Sequence, residues 1–221
     1  MKKYVIANWK QNMNLTEVHS WIAEFTDTVI GTIPSVEVVL CPPMPYLSIF
    51  ADLVQGYDWL HVGAQDLSAT DMGAHTGDVD VSQILDFAEF SIVGHSERKE
   101  DRALVNEKIT RCLEGGLQPI ACFVEKKDSV TAHKDGVVVA WEDPQNISKE
   151  GVYSPKDPAE IEAGLDDVAA LLPSDAIILY GGSVNRDNIA GIVGFENLSG
   201  VILGGASLDA KHLFDIITAF N

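Results

Sequence analysis

Polar side chains able to hold, move or meet a proton stand at the ends of apolar runs in this chain. Asn8-Trp9-Lys10 closes the first run, Gly94-His95 the fourth and Glu142 the sixth. In Ser91-Ile-Val-Gly-His-Ser-Glu-Arg98 an apolar strand stops at a glycine and delivers His95 beside a helix start. The positive end of a helix disfavours imidazolium, so a histidine there is expected to sit neutral near pH 7 and donate a hydrogen bond to a carbonyl. A carboxylate facing neutral donors suits abstraction of a proton beside a carbonyl, because the donors meet the negative charge that develops on oxygen. Gly181-Gly182-Ser183 and Gly204-Gly205-Ala206-Ser207 follow the seventh and eighth runs. Glycine turns leading into helices offer backbone N–H groups to a phosphate. No nucleophilic triad and no metal cluster is legible. Taken singly, each feature also fits a plainer role: a histidine that only caps a helix, a solvated or ion-paired glutamate, a Gly-Gly that is only a turn. The residues by themselves leave both readings open.

Something must bring these ends together. Strand-like runs are predicted at Tyr4–Asn8, Val36–Cys41, Leu60–Ala64, Phe90–Gly94, Pro119–Phe123, Val137–Trp141, Ala176–Tyr180 and Val201–Leu203. They are apolar on both faces, as parallel strands covered by helices must be. Amphipathic helical patterns fit Thr16–Ile30, Tyr46–Val54, Ser82–Ala88, Ala103–Leu113, Ala159–Leu172, Asn185–Val193 and Ala210–Phe220, several with Ser, Asp or Asn near the start. This alternation predicts an α/β (β/α)8 barrel, one domain over residues 1–221, with the strand ends gathered on its carboxyl face. The fifth unit is defective. Glu125–Asp135 is barely long enough for a parallel crossover, so the fifth helix is predicted to be shortened or missing and the strands around it the least covered.

Composition narrows the function. The 221 residues are 46% hydrophobic, enough for a sizeable core, and no apolar run is long enough to span a bilayer. The Met-Lys-Lys start leads directly into a strand rather than a signal peptide, so a cytoplasmic location is expected. Thirty-three acidic residues against fifteen basic give a net charge of −18, which repels nucleic acid backbones and anionic membranes. An anionic small ligand then needs local attraction, which glycine-rich backbone and one placed lysine supply. Cys41, Cys112 and Cys122 lie in apolar segments without metal-ligand spacing, so buried reduced thiols, no disulfide and no structural metal are expected.

The ordered runs Ala7-Asn-Trp-Lys10, Gly63-Ala-Gln65, Gly73-Ala-His-Thr-Gly-Asp78, Ile92-Val-Gly-His-Ser-Glu-Arg98, Ala140-Trp-Glu142, Leu179-Tyr-Gly-Gly-Ser-Val184 and Leu203-Gly-Gly-Ala-Ser-Leu208 resemble the triosephosphate isomerase family over nearly the whole chain. The resemblance implies an isomerase of glycolysis and gluconeogenesis that interconverts dihydroxyacetone phosphate and D-glyceraldehyde 3-phosphate through an enediolate, with no cofactor. It implies Glu142 as the base, His95 as the electrophile, Asn8 and Lys10 as stabilisers of oxygen charge, and Glu97 as the acid that positions Lys10. Lys10, Ser148, Ser183, Gly204 and Gly205 are implied as phosphate contacts. The loop around Thr76 is implied to form a homodimer contact reaching the partner's site. Two plainer roles remain beside these: Glu97 as a first-turn helix acid, and Arg98 as a structural ion-pair partner.

Two segments depart from the family pattern. After Glu142 the family has a Pro-Val-Trp entry and an Ile-Gly-Thr-Gly tip. This chain reads Asp143-Pro-Gln-Asn-Ile-Ser-Lys-Glu-Gly151, with proline one residue later and Ser148 and Glu150 standing where the family shows glycines. Strand five reads Cys122-Phe-Val-Glu125 rather than Cys-hydrophobic-Gly-Glu, a change expected to bear on stability more than on chemistry. The altered entry leaves room for an alternative, a degraded or altered-specificity barrel binding small phosphorylated metabolites. The retained Asn8, Lys10, His95 and Glu142 argue against a pure binder, which has no need for a base.

Overall fold

The computed structural model describes residues 2–32, 34–144, 146 and 156–221. In chain order the elements are β1 (Lys3–Asn8), α1 (Leu15–Val29), β2 (Val36–Cys41), α2 (Leu47–Val54), β3 (Leu60–Ala64), α3 (Val81–Leu85), β4 (Phe90–Val93) and α4 (Arg102–Gly115). They continue with β5 (Gln118–Phe123), α5 (Ser129–Ala132), β6 (Val138–Glu142), α6 (Pro158–Ala169), β7 (Ile177–Gly181), β8 (Gly200–Leu203) and α7 (Ala210–Thr218). All eight strands are parallel and neighbours in sequence are neighbours in space. β1 also pairs with β8, Tyr4 opposite Gly200, which closes the barrel. No described helix is long and apolar enough to cross a membrane.

The period of two along each strand splits the apolar residues into two layers. Tyr4, Ile6, Val39, Cys41, Phe90, Ile92, Ile120, Cys122, Val138, Ala140, Leu179 and Ile202 fill the barrel interior. Their alternates, such as Val5, Ala7, Val38, Leu40, Val139, Ile178 and Val201, pack against the helices. This double burial is why the strands read as continuous apolar runs rather than alternating ones. It also positions the site. Continuing the interior rows by one step carries β1 from Ile6 to Asn8, β6 from Ala140 to Glu142, β7 from Leu179 to Gly181 and β8 from Ile202 to Gly204, all on the carboxyl face.

Two expectations are corrected. The segment predicted as a helix over Asn185–Val193 forms only a single 3-10 turn, Ile189–Gly191. Asn185 Oδ1 accepts from the N–H groups of Asp187 (2.8 Å) and Asn188 (3.2 Å), and Asn188 Oδ1 accepts from Asn185 N–H at 2.8 Å. These side chains take backbone donors into local turns, and glycines 191 and 194 remove the remaining helical preference. The fifth unit is short as expected, a 3-10 turn at Lys126–Asp128 followed by four-residue α5. The strands beside it are nevertheless well covered: β6 is buried throughout, and β5 is buried except at half-buried Gln118. Trp141 accounts for part of this cover. Its indole donates to Val124 O (3.2 Å) and lies under Lys126 Nζ, 5.0 Å from the ring centroid, while Lys126 pairs with Asp167 of α6 at 2.7 Å.

The three cysteines are free and buried. Burial pushes the Cys112 thiol up to about 12 and raises those of Cys41 and Cys122 as well. None is a thiolate at neutral pH.

Candidate active site

The carboxyl ends of β1, β4, β6, β7 and β8 meet around one pocket, lined by Asn8, Lys10, His95, Glu142, Gly181 to Val184 and Ile202 to Ala206. Each polar group is held from behind. Trp9, fully buried, packs edge-on against Trp21 (4.8 Å between centroids) and Phe50 (5.0 Å) and so anchors the chain between Asn8 and Lys10. Lys10 adopts a left-handed φ of 54°. That costly conformation is fixed by two bonds: its N–H donates to Asn8 Oδ1 (3.0 Å), and its carbonyl accepts from Gln65 Nε2 (2.9 Å). Lys10 Nζ then reaches Glu97 Oε1 at 2.5 Å. Gly204 runs directly beneath this side chain, since a Cβ there would lie 3.1 Å from Lys10 Cε.

His95 follows Gly94, whose φ of +72° turns the chain out of β4. A Cβ at position 94 would also press to 2.7 Å from Val105. The 3-10 turn Ser96–Arg98 starts next, with His95 as its cap: Nδ1 accepts from Glu97 N–H at 3.3 Å. An accepting Nδ1 leaves the proton on Nε2, which faces Glu142 Oε1 at 3.2 Å. The capping role and the chemical role are thus one arrangement, since the cap fixes the tautomer.

Glu142 is 3% exposed and His95 8%. Ser96 grips both carboxylate oxygens, its N–H on Oε2 and its hydroxyl on Oε1, each at 2.8 Å. Cys122 lies near enough that, after burial, the Glu142 charge is the next cause raising its thiol. Beyond Glu142, Asp143 is buried and pairs with Lys156 Nζ at 2.7 Å. Asn146 Nδ2 donates to Tyr180 Oη at 3.1 Å, and burial pushes that phenol up to about 12. Ser183, at a left-handed φ of 46°, donates through Oγ to Asn146 O (2.6 Å) and accepts on its own carbonyl from Asn188 Nδ2 (3.0 Å).

The pocket therefore gathers Asn8, Lys10, His95, Glu142, Ser183, Gly204 and Gly205, with Glu97 behind Lys10. Thr76 is exposed on the loop between β3 and α3 and does not line it. Ser148 and Glu150 lie outside the described residues. Arg98 is an ion-pair partner, bonded to Asp66 (2.7 Å) and Glu100 (3.0 Å). Ser96 and Gln65 received no role from the sequence, although both belong to the quoted motifs. Their hydrogen bonds to Glu142 and Lys10 are what make them matter. Among the described residues no group of three or more His, Cys, Asp or Glu converges as metal ligands would. The Gly205–Ser207 turn has no side-chain cap, so its first N–H groups are not taken up by a capping side chain. A carboxylate, an imidazole N–H, an ammonium and an amide around one cavity have the composition for proton abstraction beside a carbonyl.

Comparison with known proteins agrees. A family model described as triosephosphate isomerase matches residues 3–220. The chain is similar to proteins named triosephosphate isomerase from Aquifex aeolicus (30% identical, covering 100% of both chains), Mycobacterium tuberculosis strain H37Rv (34%, covering 96% of this chain and 94% of the relative) and Herminiimonas arsenicoxydans (32%, covering 99% of each).

Proposed function

The chain belongs to the triosephosphate isomerase family, and from that premise we propose that it interconverts dihydroxyacetone phosphate and D-glyceraldehyde 3-phosphate by proton transfer through an enediolate. The observation that carries this reading is the 3.2 Å approach of His95 Nε2 to Glu142 Oε1 in a pocket shared with Asn8 and Lys10.

Glu142 takes the proton from C1 of dihydroxyacetone phosphate; the C–H pair becomes the C1=C2 bond while the carbonyl pair moves onto O2, a proton passes from O1 to O2 beside His95, and Glu142 returns its proton to C2 as the O1 pair closes the aldehyde. Because both Glu142 oxygens are hydrogen-bonded to Ser96, an oxygen reaches the substrate by exchanging the bond to the Ser96 hydroxyl. The Nε2–H of His95, the Lys10 ammonium and the Asn8 amide stabilise charge on the substrate oxygens. Glu97 positions Lys10. Lys10, Ser183 and the backbone of Gly204 and Gly205 hold the phosphate, a role the Gly205–Ser207 turn supports by presenting N–H groups to an anion. Ser148 joins this set by resemblance alone.

We also read residues 1–221 as one barrel domain, on the strength of the β1–β8 pairing, and as a cytoplasmic enzyme of glycolysis and gluconeogenesis. Thr76, exposed on the loop after β3, fits a contact with a second copy in a homodimer. The test is a coupled assay with triose and tetrose phosphates. The parent is expected to turn over triose phosphates, and Glu142→Gln to lose at least ~10³-fold in kcat with its circular dichroism unchanged. A Glu142→Gln variant of near-parental activity removes Glu142 from the role of base.

A further inference from the structure

Asp143 is 2% exposed, and Lys156, two residues before α6, approaches it to 2.7 Å. We propose that this ion pair positions the base: Asp143 and Lys156 fix the chain immediately after Glu142 and so set the approach of its carboxylate to His95 and substrate. The proposal rests on the reading of Glu142 as that base.

Glu142 continues the inward row of β6, so the next residue belongs to the opposite face of the strand, toward the start of α6. There Lys156 holds it. Asp143 is tied twice more: its carbonyl accepts from Asn146 N–H at 2.9 Å, and its carboxylate from Asn146 Nδ2 at 3.4 Å. Asn146 in turn bonds Tyr180 Oη and receives the Ser183 hydroxyl. The base is thereby clasped from two sides, by Ser96 and His95 within the pocket and by Lys156 behind it, and the rear clasp reaches Ser183 on the phosphate side. The sequence departure explains why a clasp is needed. Where the resembled family follows its glutamate with proline, whose ring fixes φ, this chain has Asp143 and places Pro144 one step later. An ion pair between buried Asp143 and half-buried Lys156 supplies at 143 the rigidity that the ring supplies elsewhere.

The experiment is steady-state kinetics with D-glyceraldehyde 3-phosphate on Asp143→Asn, Lys156→Met, the double variant and Lys156→Arg, alongside circular dichroism and melting. Misplacing a catalytic group by about 1 Å costs up to ~100-fold in rate. The single variants are expected to lose ~10- to 100-fold in kcat with KM within about twofold, and Lys156→Arg to recover most of the rate. Lys156→Met leaves a buried carboxylate facing an apolar side chain and invites unfolding, so the doubly neutral Asp143→Asn/Lys156→Met variant decides. A folded double variant with low kcat and unchanged KM supports positioning. Parental kcat in that variant, a loss that merely tracks the folded fraction, or failure of Lys156→Arg to recover the rate overturns it. An inactive parent, or an active Glu142→Gln, instead defeats the reading of the base and leaves a distinct signature.

Discussion

Lys10 stands over Gly204, and the space between them is too small for a methyl group to enter without displacement. Gly204→Ala should therefore push the ammonium away from the pocket while leaving the barrel folded. KM for both triose phosphates is expected to rise roughly 3- to 10-fold, with a smaller change in melting temperature. An unchanged KM would mean that Lys10 has room to yield. At this scale the chain was legible where a reactive side-chain type ended an apolar run, as at Asn8, Lys10, His95 and Glu142. It was not legible where an ordinary polar residue acts on another protein group. Ser96 and Gln65 carry no unusual chemistry, and only the fold brings them to Glu142 and Lys10. The Asp143–Lys156 pair joins residues thirteen positions apart, a pairing that neither residue type nor spacing announces.

Among the elements, α7 and the turn after β7 are joined by His212, whose Nε2 accepts from Arg186 N–H at 2.9 Å. Burial first, and the Arg186 charge second, hold this imidazole below its ordinary value of 6.5. A histidine with a lowered folded value contributes stability that is complete above 6.5 and is lost as pH falls through the folded value. The parent should therefore lose more stability between pH 7.5 and pH 5 than His212→Gln, measured as the shift in urea midpoint; equal losses would show that His212 does not take part. The same region holds a turn where the pattern predicts a helix. The pattern over Asn185–Val193 has helical spacing, but periodicity does not record that Asn185 and Asn188 spend their side chains on neighbouring backbone groups. Strands were read more faithfully, because burial on both faces leaves a signal that no local turn imitates. The cover over β5 and β6 escaped the sequence because it comes partly from Trp141 and Lys126, single side chains rather than a helix.

For the molecule as a whole, the exposed tip around Thr76 is set on a fixed base. Arg111 of α4 bonds Asp71 and Asp80, and Ser68 Oγ donates to Asp78 at 3.0 Å, so the loop is braced before any partner arrives. If two copies meet through this tip, Thr76→Arg should shift the sedimentation profile toward monomer and lower kcat at low protein concentration. A Thr76→Arg protein that stays dimeric and active, or a fully active parental monomer, would rule this contact out. Like charges of −18 on each copy also oppose the meeting, so moderate salt is expected to favour assembly.

The pairing of β1 with β8 has a consequence for biosynthesis. Asn8 and Lys10 leave the ribosome well before Gly204 and the strand that closes against Tyr4. Until β8 is translated, β1 keeps an open edge and the pocket lacks a wall, so a nascent chain carries Asn8 and Lys10 without a completed site. Isomerase activity in a translation reaction should appear only once β8 has emerged to pair with β1, and a chain stalled before Gly200 should show none.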